Sequence, residues 1–117
     1  MSVNLNARDV EFRVKVGDRS SLVLTMTDSS GTALNLTNTT TYSTGKWKVW
    51  KPDGTLLING TIVFTTRASG IVTYTLTADD TLYANAGIWD GEIELKDTGG
   101  VITEQSKSFN FVIEESF

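Results

Sequence analysis

Apolar and polar residues alternate along most of the chain with a period of two. Val10, Phe12, Val14 and Val16 are separated by Glu11, Arg13 and Lys15. That is the pattern of a strand with one face in a core and the other in water. Gly17-Asp18 ends the run, and Leu22, Leu24 and Met26 open a second one. Asp28 to Gly31 reads as a turn, since Asp bonds its own backbone and Gly accepts positive φ. Leu34 and Leu36 point back toward the core, and Thr37 to Thr44 reads as a loop. Trp47 and Val49 form the apolar side of the next strand, with Lys46, Lys48 and Trp50 on its other side. Lys51-Pro52-Asp53-Gly54 is a turn with Pro at its first corner position. Leu56 and Ile58 return, Asn59-Gly60 predicts another turn, and Ile62 and Phe64 alternate again.

Ser69-Gly70 leads into Val72, Tyr74 and Leu76. Thr77 to Asp80 breaks the alternation. A Thr followed three residues later by an acid is a helix-cap pattern, which predicts one helical turn over about Asp79 to Tyr83. Gly87 ends that corner, and Trp89, Gly91, Ile93 and Leu95 share one strand face. Asp97-Thr98-Gly99-Gly100 reads as a hairpin turn, Val101 starts the last strand, and Phe109, Phe111 and Ile113 close the core. Seven to nine short strands with turns every ~8–12 residues predict an all-β sandwich. No sustained 3.6-residue period is present, which argues against crossover helices and a parallel sheet. An immunoglobulin-like sandwich fits best, with Trp47 at the buried position of its third strand and Trp89 just after the corner between the fifth and sixth.

Composition supports this reading. Eighteen Thr and ten Ser stand against one Pro, and Thr suits the wet face of a pleated strand. A chain of 117 residues allows one domain. It divides into an N-terminal arm over 1–9 and a sandwich over 10–117. The N-terminus has no basic n-region followed by an apolar h-region, and no apolar run approaches the ~18 residues that span a bilayer.

The absent residue types bound the chemistry. There is no His and no Cys. That removes Ser-His-Asp and Cys-His catalysis, the usual zinc sites and disulfide scaffolds. Neither a GxGxxG nor a Walker sequence occurs. A net charge of −4 with scattered basic residues lacks the basic stripe of a nucleic-acid binder. The expectation is a chain with no catalytic residues, no cofactor and no metal, and with neither nucleic acid nor membrane among its partners.

Three patterns could carry chemistry of their own. Asp97-Thr98-Gly99 matches the triplet of retroviral-type aspartic proteases, which share a proton between two such Asp residues. Here it lies late in the chain and has ideal turn composition, so a turn is the expectation. Asp79/Asp80, Glu92/Glu94 and Glu114/Glu115 are paired acids without a cleft to work in, and Glu92 and Glu94 are expected to be solvated. Asp28 or Asp79/Asp80 could offer oxygen ligands to calcium, without EF-hand spacing. Trp50 is the more informative residue. It is an odd step from Trp47, so the two rings face opposite sides of the strand. Trp50 beside Lys46 and Lys48 suits a protein interface; packing under the Asn38–Ser43 loop and sugar binding are the other readings. Asn4, Leu5, Asn6, Arg8 and Val10 on the arm form a second candidate contact.

The order of these motifs also resembles a known family. Val16-Gly17-Asp18, Asp28 to Gly31 with Leu34 and Leu36, Lys51-Pro52-Asp53-Gly54, Ser69 to Thr77, Ala86-Gly87-Ile88-Trp89 and Phe109-Asn110-Phe111-Val112-Ile113 look like the N-terminal immunoglobulin-like domain of siphophage baseplate upper proteins. The resemblance covers about residues 12–113. It implies a virion structural protein, made in the host cytoplasm, that docks onto other phage structural proteins of the tail or baseplate, with a homo-oligomer or symmetric array as the expected assembly. Family members typically continue into long C-terminal regions, whereas this chain stops at Phe117. A free-standing capsid decoration or tail-surface protein, or a module binding carbohydrate or a host surface, is the alternative expectation.

Overall fold

The computed structural model describes residues 11–28, 30–106 and 109–115. Among the described residues nine strands follow one another: β1 (Glu11–Lys15), β2 (Ser21–Thr25), β3 (Thr44–Trp50), β4 (Leu56–Thr61), β5 (Val63–Thr66), β6 (Ile71–Thr75), β7 (Gly87–Lys96), β8 (Ile102–Gln105) and β9 (Phe109–Glu114). Val10, expected to open the first strand, lies outside the described residues.

The strands form two sheets. Six make a sheet in the order β1-β9-β7-β3-β4, with β8 also on β7, and three make the order β2-β6-β5. β8 and β9 lie along the same edge of β7, whose Glu94 and Leu95 pair with Gln105 and Glu104, and whose Gly87 to Gly91 pair with Ile113 to Phe109. The break between them is bridged at Ser106. Its N–H donates to the Ile93 carbonyl at 2.9 Å, and its hydroxyl accepts the Ile93 N–H at 2.7 Å. Counted as one interrupted strand, β8/β9 takes the place of the final immunoglobulin strand beside β7, β3 and β4, and β2-β6-β5 forms the opposing sheet. The arrangement is an immunoglobulin-like sandwich with the extra edge strand of the variable type.

Most of the expected core is observed; Phe12, Val16, Phe64 and Trp89 are partly buried against it, and Leu56, expected to return inward with Ile58, is 40% exposed beside the irregularity in the β3/β4 register. Leu22, Leu24, Met26, Leu34, Leu36, Trp47, Val49, Ile58, Val72, Tyr74, Leu76, Ile93, Leu95, Phe109, Phe111 and Ile113 are all buried. Trp47 is fully buried at its centre. Its ring lies 4.8 Å from Phe12 and 5.2 Å from Phe109, and stacks on Tyr74 of the opposite sheet at 6.0 Å. Aromatic pairs at these separations add to plain area burial.

Two local expectations are corrected. Asn59-Gly60 is not a turn but lies inside β4, paired with Lys48 and Trp47. The glycine serves packing: a Cβ there would sit 2.0 Å from the Tyr74 ring, so Gly60 lets the two sheets approach. The helical turn lies later than expected, as a 3-10 turn over Tyr83–Asn85. Asp80 is used instead to close the preceding corner, accepting the Thr77 N–H at 2.9 Å and the Tyr74 hydroxyl. Burial, and then that partner, push the Tyr74 phenol well above its ordinary range. Trp89 lies in β7, just after the corner, as expected, and donates its indole N–H to the Asn85 carbonyl at 2.8 Å, tying the 3-10 turn to the sandwich.

Other turns follow their residue chemistry. In the Pro-Asp-Gly turn, Gly54 has a φ of 87° and donates its N–H to Lys51 at 2.9 Å. In the late hairpin, Asp97 accepts the Gly99 and Val101 N–H groups at 2.9 Å each. This is the turn reading of Asp-Thr-Gly.

Candidate docking face

The outward side of the six-stranded sheet is built by the positions that alternate with its core residues. On β3 these are Lys46, Lys48 and Trp50, all half-buried. The register places them opposite Glu94, Glu92 and Asp90 of β7, and places Lys46 and Lys48 opposite Thr61 and Asn59 of β4. The three expected interface residues therefore do share one face.

They are engaged to different degrees. Lys48 reaches diagonally to Glu94, at 3.1 and 3.3 Å from its two carboxylate oxygens. Lys96 adds a contact to Glu94 at 3.7 Å. Gln105, from β8, donates to Glu92 at 3.1 Å and to Glu94 at 3.4 Å. The side chain of Glu94 is only 7% exposed and that of Lys48 22%. The expectation that Glu92 and Glu94 are solvated fails for Glu94. The sheet brings Gln105 and Lys48 to it from two neighbouring strands and covers it. Burial, and secondarily the charge of Glu94, raise the Glu92 carboxyl above its ordinary range. Charged groups that lose water need such partners to remain ionised.

Lys46 differs. Its ammonium donates to the Thr61 hydroxyl at 2.9 Å, a neutral partner. Trp50 closes the same face at the other end of β3. The Asn38–Ser43 loop does not cover it. That loop is bonded to Lys96, Thr98 and Thr103, beside Thr44, six residues or about 20 Å along β3 from Trp50. Beyond Trp50, Ile88 is 68% exposed on β7, next to Val112 of β9. Asn4, Leu5, Asn6, Arg8 and Val10 lie outside the described residues.

Sequence reasoning missed Gln105, Lys96 and Thr61 as members of this face. Only cross-strand register brings them there. Their alternation is visible in the sequence, but the partner strand is not. It also missed the outer face of the three-stranded sheet. There Ser21, Val23 and Thr25 of β2 stand beside Thr75, Thr73 and Ile71 of β6, and Val63 of β5 stands beside Thr73. Val23 is 57% and Val63 64% exposed. The Ser21 and Thr75 hydroxyls are 3.0 Å apart, and Thr65 and Thr73 are bonded as well. Among the described residues, the strand positions of this face carry no charge.

Asp28, considered for calcium, accepts the Ser30 N–H at 2.9 Å, the Thr32 N–H at 3.0 Å and the Ser30 hydroxyl at 2.7 Å. These bonds lower its carboxyl from the ordinary range, the Ser30 hydroxyl foremost. All three bonds fall on one carboxylate oxygen, Oδ1, which is thereby committed to its own turn. Among the described residues there is no group of three or more candidate metal ligands and no pocket.

These features define the class as an immunoglobulin-like sandwich with one charged and one uncharged outer face. Among solved structures, the N-terminal domain of phage TP901-1 ORF48 matches with a TM-score of 0.70 over 97% of this chain and 96% of that chain, at 11% identity. CopC from Methylosinus trichosporium OB3b matches with a TM-score of 0.53 over 97% of this chain and 93% of that chain, at 10% identity. At these identities the likeness is one of fold. No protein-family model matches the sequence, and no curated protein matches it.

Proposed function

We propose that this chain is a non-enzymatic structural protein of a phage virion, an immunoglobulin-like module that docks onto other proteins of the tail or baseplate. The observation that carries this reading is the end-to-end fold match to the N-terminal domain of a phage protein, TP901-1 ORF48. The sequence resemblance to siphophage baseplate upper proteins points the same way. The mechanism is surface complementarity in a symmetric array, where many weak contacts sum through multivalency. Trp50 and Lys46 are the anchors of one contact face, with Lys48 held in place by Glu94 behind them. Asn4, Leu5, Asn6, Arg8 and Val10 act as a second contact, with 1–9 as the arm and 10–117 as the sandwich. Function is then a property of the outer surface, and no step of chemistry is required. In the described residues no helix is long and apolar enough to cross a membrane.

The test is co-sedimentation of the purified chain with tails, baseplates and capsids from a phage lysate. Specific association with tails or baseplates is expected, and Trp50→Ala should weaken it about tenfold or more while circular dichroism stays unchanged. Absence of association with all three particles rejects the proposal, and association with capsids alone moves the site from the tail to the head.

A further inference from the structure

The six-stranded sheet ends in β1 and β4, each paired on one side only among the described residues. The two edges differ in chemistry. β4 reads Leu-Leu-Ile-Asn-Gly-Thr, with no charge and no Pro. Charges, Pro and bulges are what usually stop an edge from pairing with another chain. The bulge of β4 lies near its start, against Val49/Trp50, leaving Ile58 to Thr61 in regular register. β1 reads Glu-Phe-Arg-Val-Lys. Its Glu11 shares a row with Asn110, Asp90 and Trp50 on the outer face.

Strand direction makes the edges complementary. β1 is parallel to β9, and the steps β9-β7, β7-β3 and β3-β4 are all antiparallel. β1 and β4 therefore run in opposite directions. A second copy in the same orientation brings its β1 antiparallel to β4, with both outer faces on the same side. The three-stranded sheet behaves oppositely. β2 and β5 are both antiparallel to β6, so the same operation would pair them in parallel, the weaker arrangement.

Charge at the Thr61 end of the β4 edge favours one occupant. Lys46 leans across β4 to Thr61, toward the open edge, and has only a neutral hydroxyl there. Two β4 edges meeting about a two-fold axis would bring both sets of lysines to the seam without an acid on either strand. An incoming β1 instead places its first residue, Glu11, opposite the last residue of β4, Thr61. Among the described residues Glu11 is held in its own chain by the exposed Arg13 pair, a weak hold. We propose that copies of this chain associate head to tail, β1 of one adding antiparallel to β4 of the next, with Glu11 facing Lys46. Thr61 and Lys46 lie in the row of Glu94, and Glu11 lies in the row of Asp90. Successive copies are thus staggered along the strands by about 13 Å. A heterologous contact of this kind continues into a ring or a filament.

This inference rests on the array reading above and specifies its contact. The test is sedimentation velocity of the full chain over a wide concentration range at low salt. Species beyond the dimer are expected. Glu11→Lys and Lys46→Glu should each weaken association about fivefold, the two together should restore it, and all variants should keep the wild-type circular dichroism. Amide exchange across Leu56–Thr61 should slow as concentration rises. A chain that stays monomeric, a species that stops at two copies and ignores Glu11→Lys, or a double reversal that fails to recover association overturns the proposal. A monomer that still binds tails through Trp50 overturns this contact and leaves the docking function standing.

Discussion

On the outer face of the six-stranded sheet, Lys48, Lys96, Glu92, Glu94 and Gln105 form one connected cluster. On the outer face of the three-stranded sheet, Ser21, Val23, Thr25, Val63, Thr73 and Thr75 carry no charge. Both faces are written in the same alternation over one core. They differ in what desolvation has already been incurred. The charged face has partly buried its ions and bound them to one another, so its geometry depends on each partner. The uncharged face has hydroxyl pairs and protruding valines, whose removal from water costs little. The first is built to hold a defined shape with Trp50 and Lys46 at its margin. The second tolerates change.

Four substitutions break or sharpen that contrast. Trp47→Ala acts beneath both faces, removing the ring that joins them. It is expected to cost about 3–5 kcal/mol in urea unfolding, and a loss below ~1 kcal/mol would mean that the sheets do not share one core. Lys48→Met keeps the stem but strips Glu94 of its nearest cation. Lys96 and Gln105 remain, so the expected loss is about 1–2 kcal/mol. An unchanged midpoint would show the cluster to be energetically idle.

Glu92→Gln tests the same cluster through pH. The Glu92 carboxyl is raised, by burial first and by Glu94 second, so the folded chain favours its protonated form. The stability from that preference is complete below the unfolded value, about 4.3, and is lost as pH rises through the higher folded value. The substitution should therefore be neutral near about pH 3 and stabilising near neutrality, by up to ~0.5 kcal/mol given partial exposure. Thermal melts at both pH values decide it, and destabilisation at neutral pH would reverse the assignment. Val63→Lys places a charge on the uncharged face and should shift stability by less than ~0.5 kcal/mol. A larger loss would mean that this face is packed against something in the folded state.

Much of the fold was legible because alternation reports burial directly. Trp47, Val49, Ile93, Leu95, Phe109 and Phe111 announce an inward face by spacing alone, and each is fully buried. The site was half legible. The opposite orientation of Trp47 and Trp50 follows from an odd step along a strand. The burial of Glu94 does not follow from any local pattern, because Lys48 lies 46 positions away and Gln105 eleven. Asn59-Gly60 misled for a related reason. The dipeptide has turn chemistry, but its glycine answers to a Tyr74 ring on the other sheet.

The sequence by itself determined the strand class, the inward residues, the main turns and the absence of His and Cys chemistry. Each of these is a property of residues within a few positions of one another, where sterics and local hydrogen bonds act. Only the tertiary structure decided which strands are neighbours and which acids are covered. It also left β1 and β4 as oppositely directed edges. Those outcomes depend on how strands distant in the chain register across a shared core, and local propensity carries no information about that register.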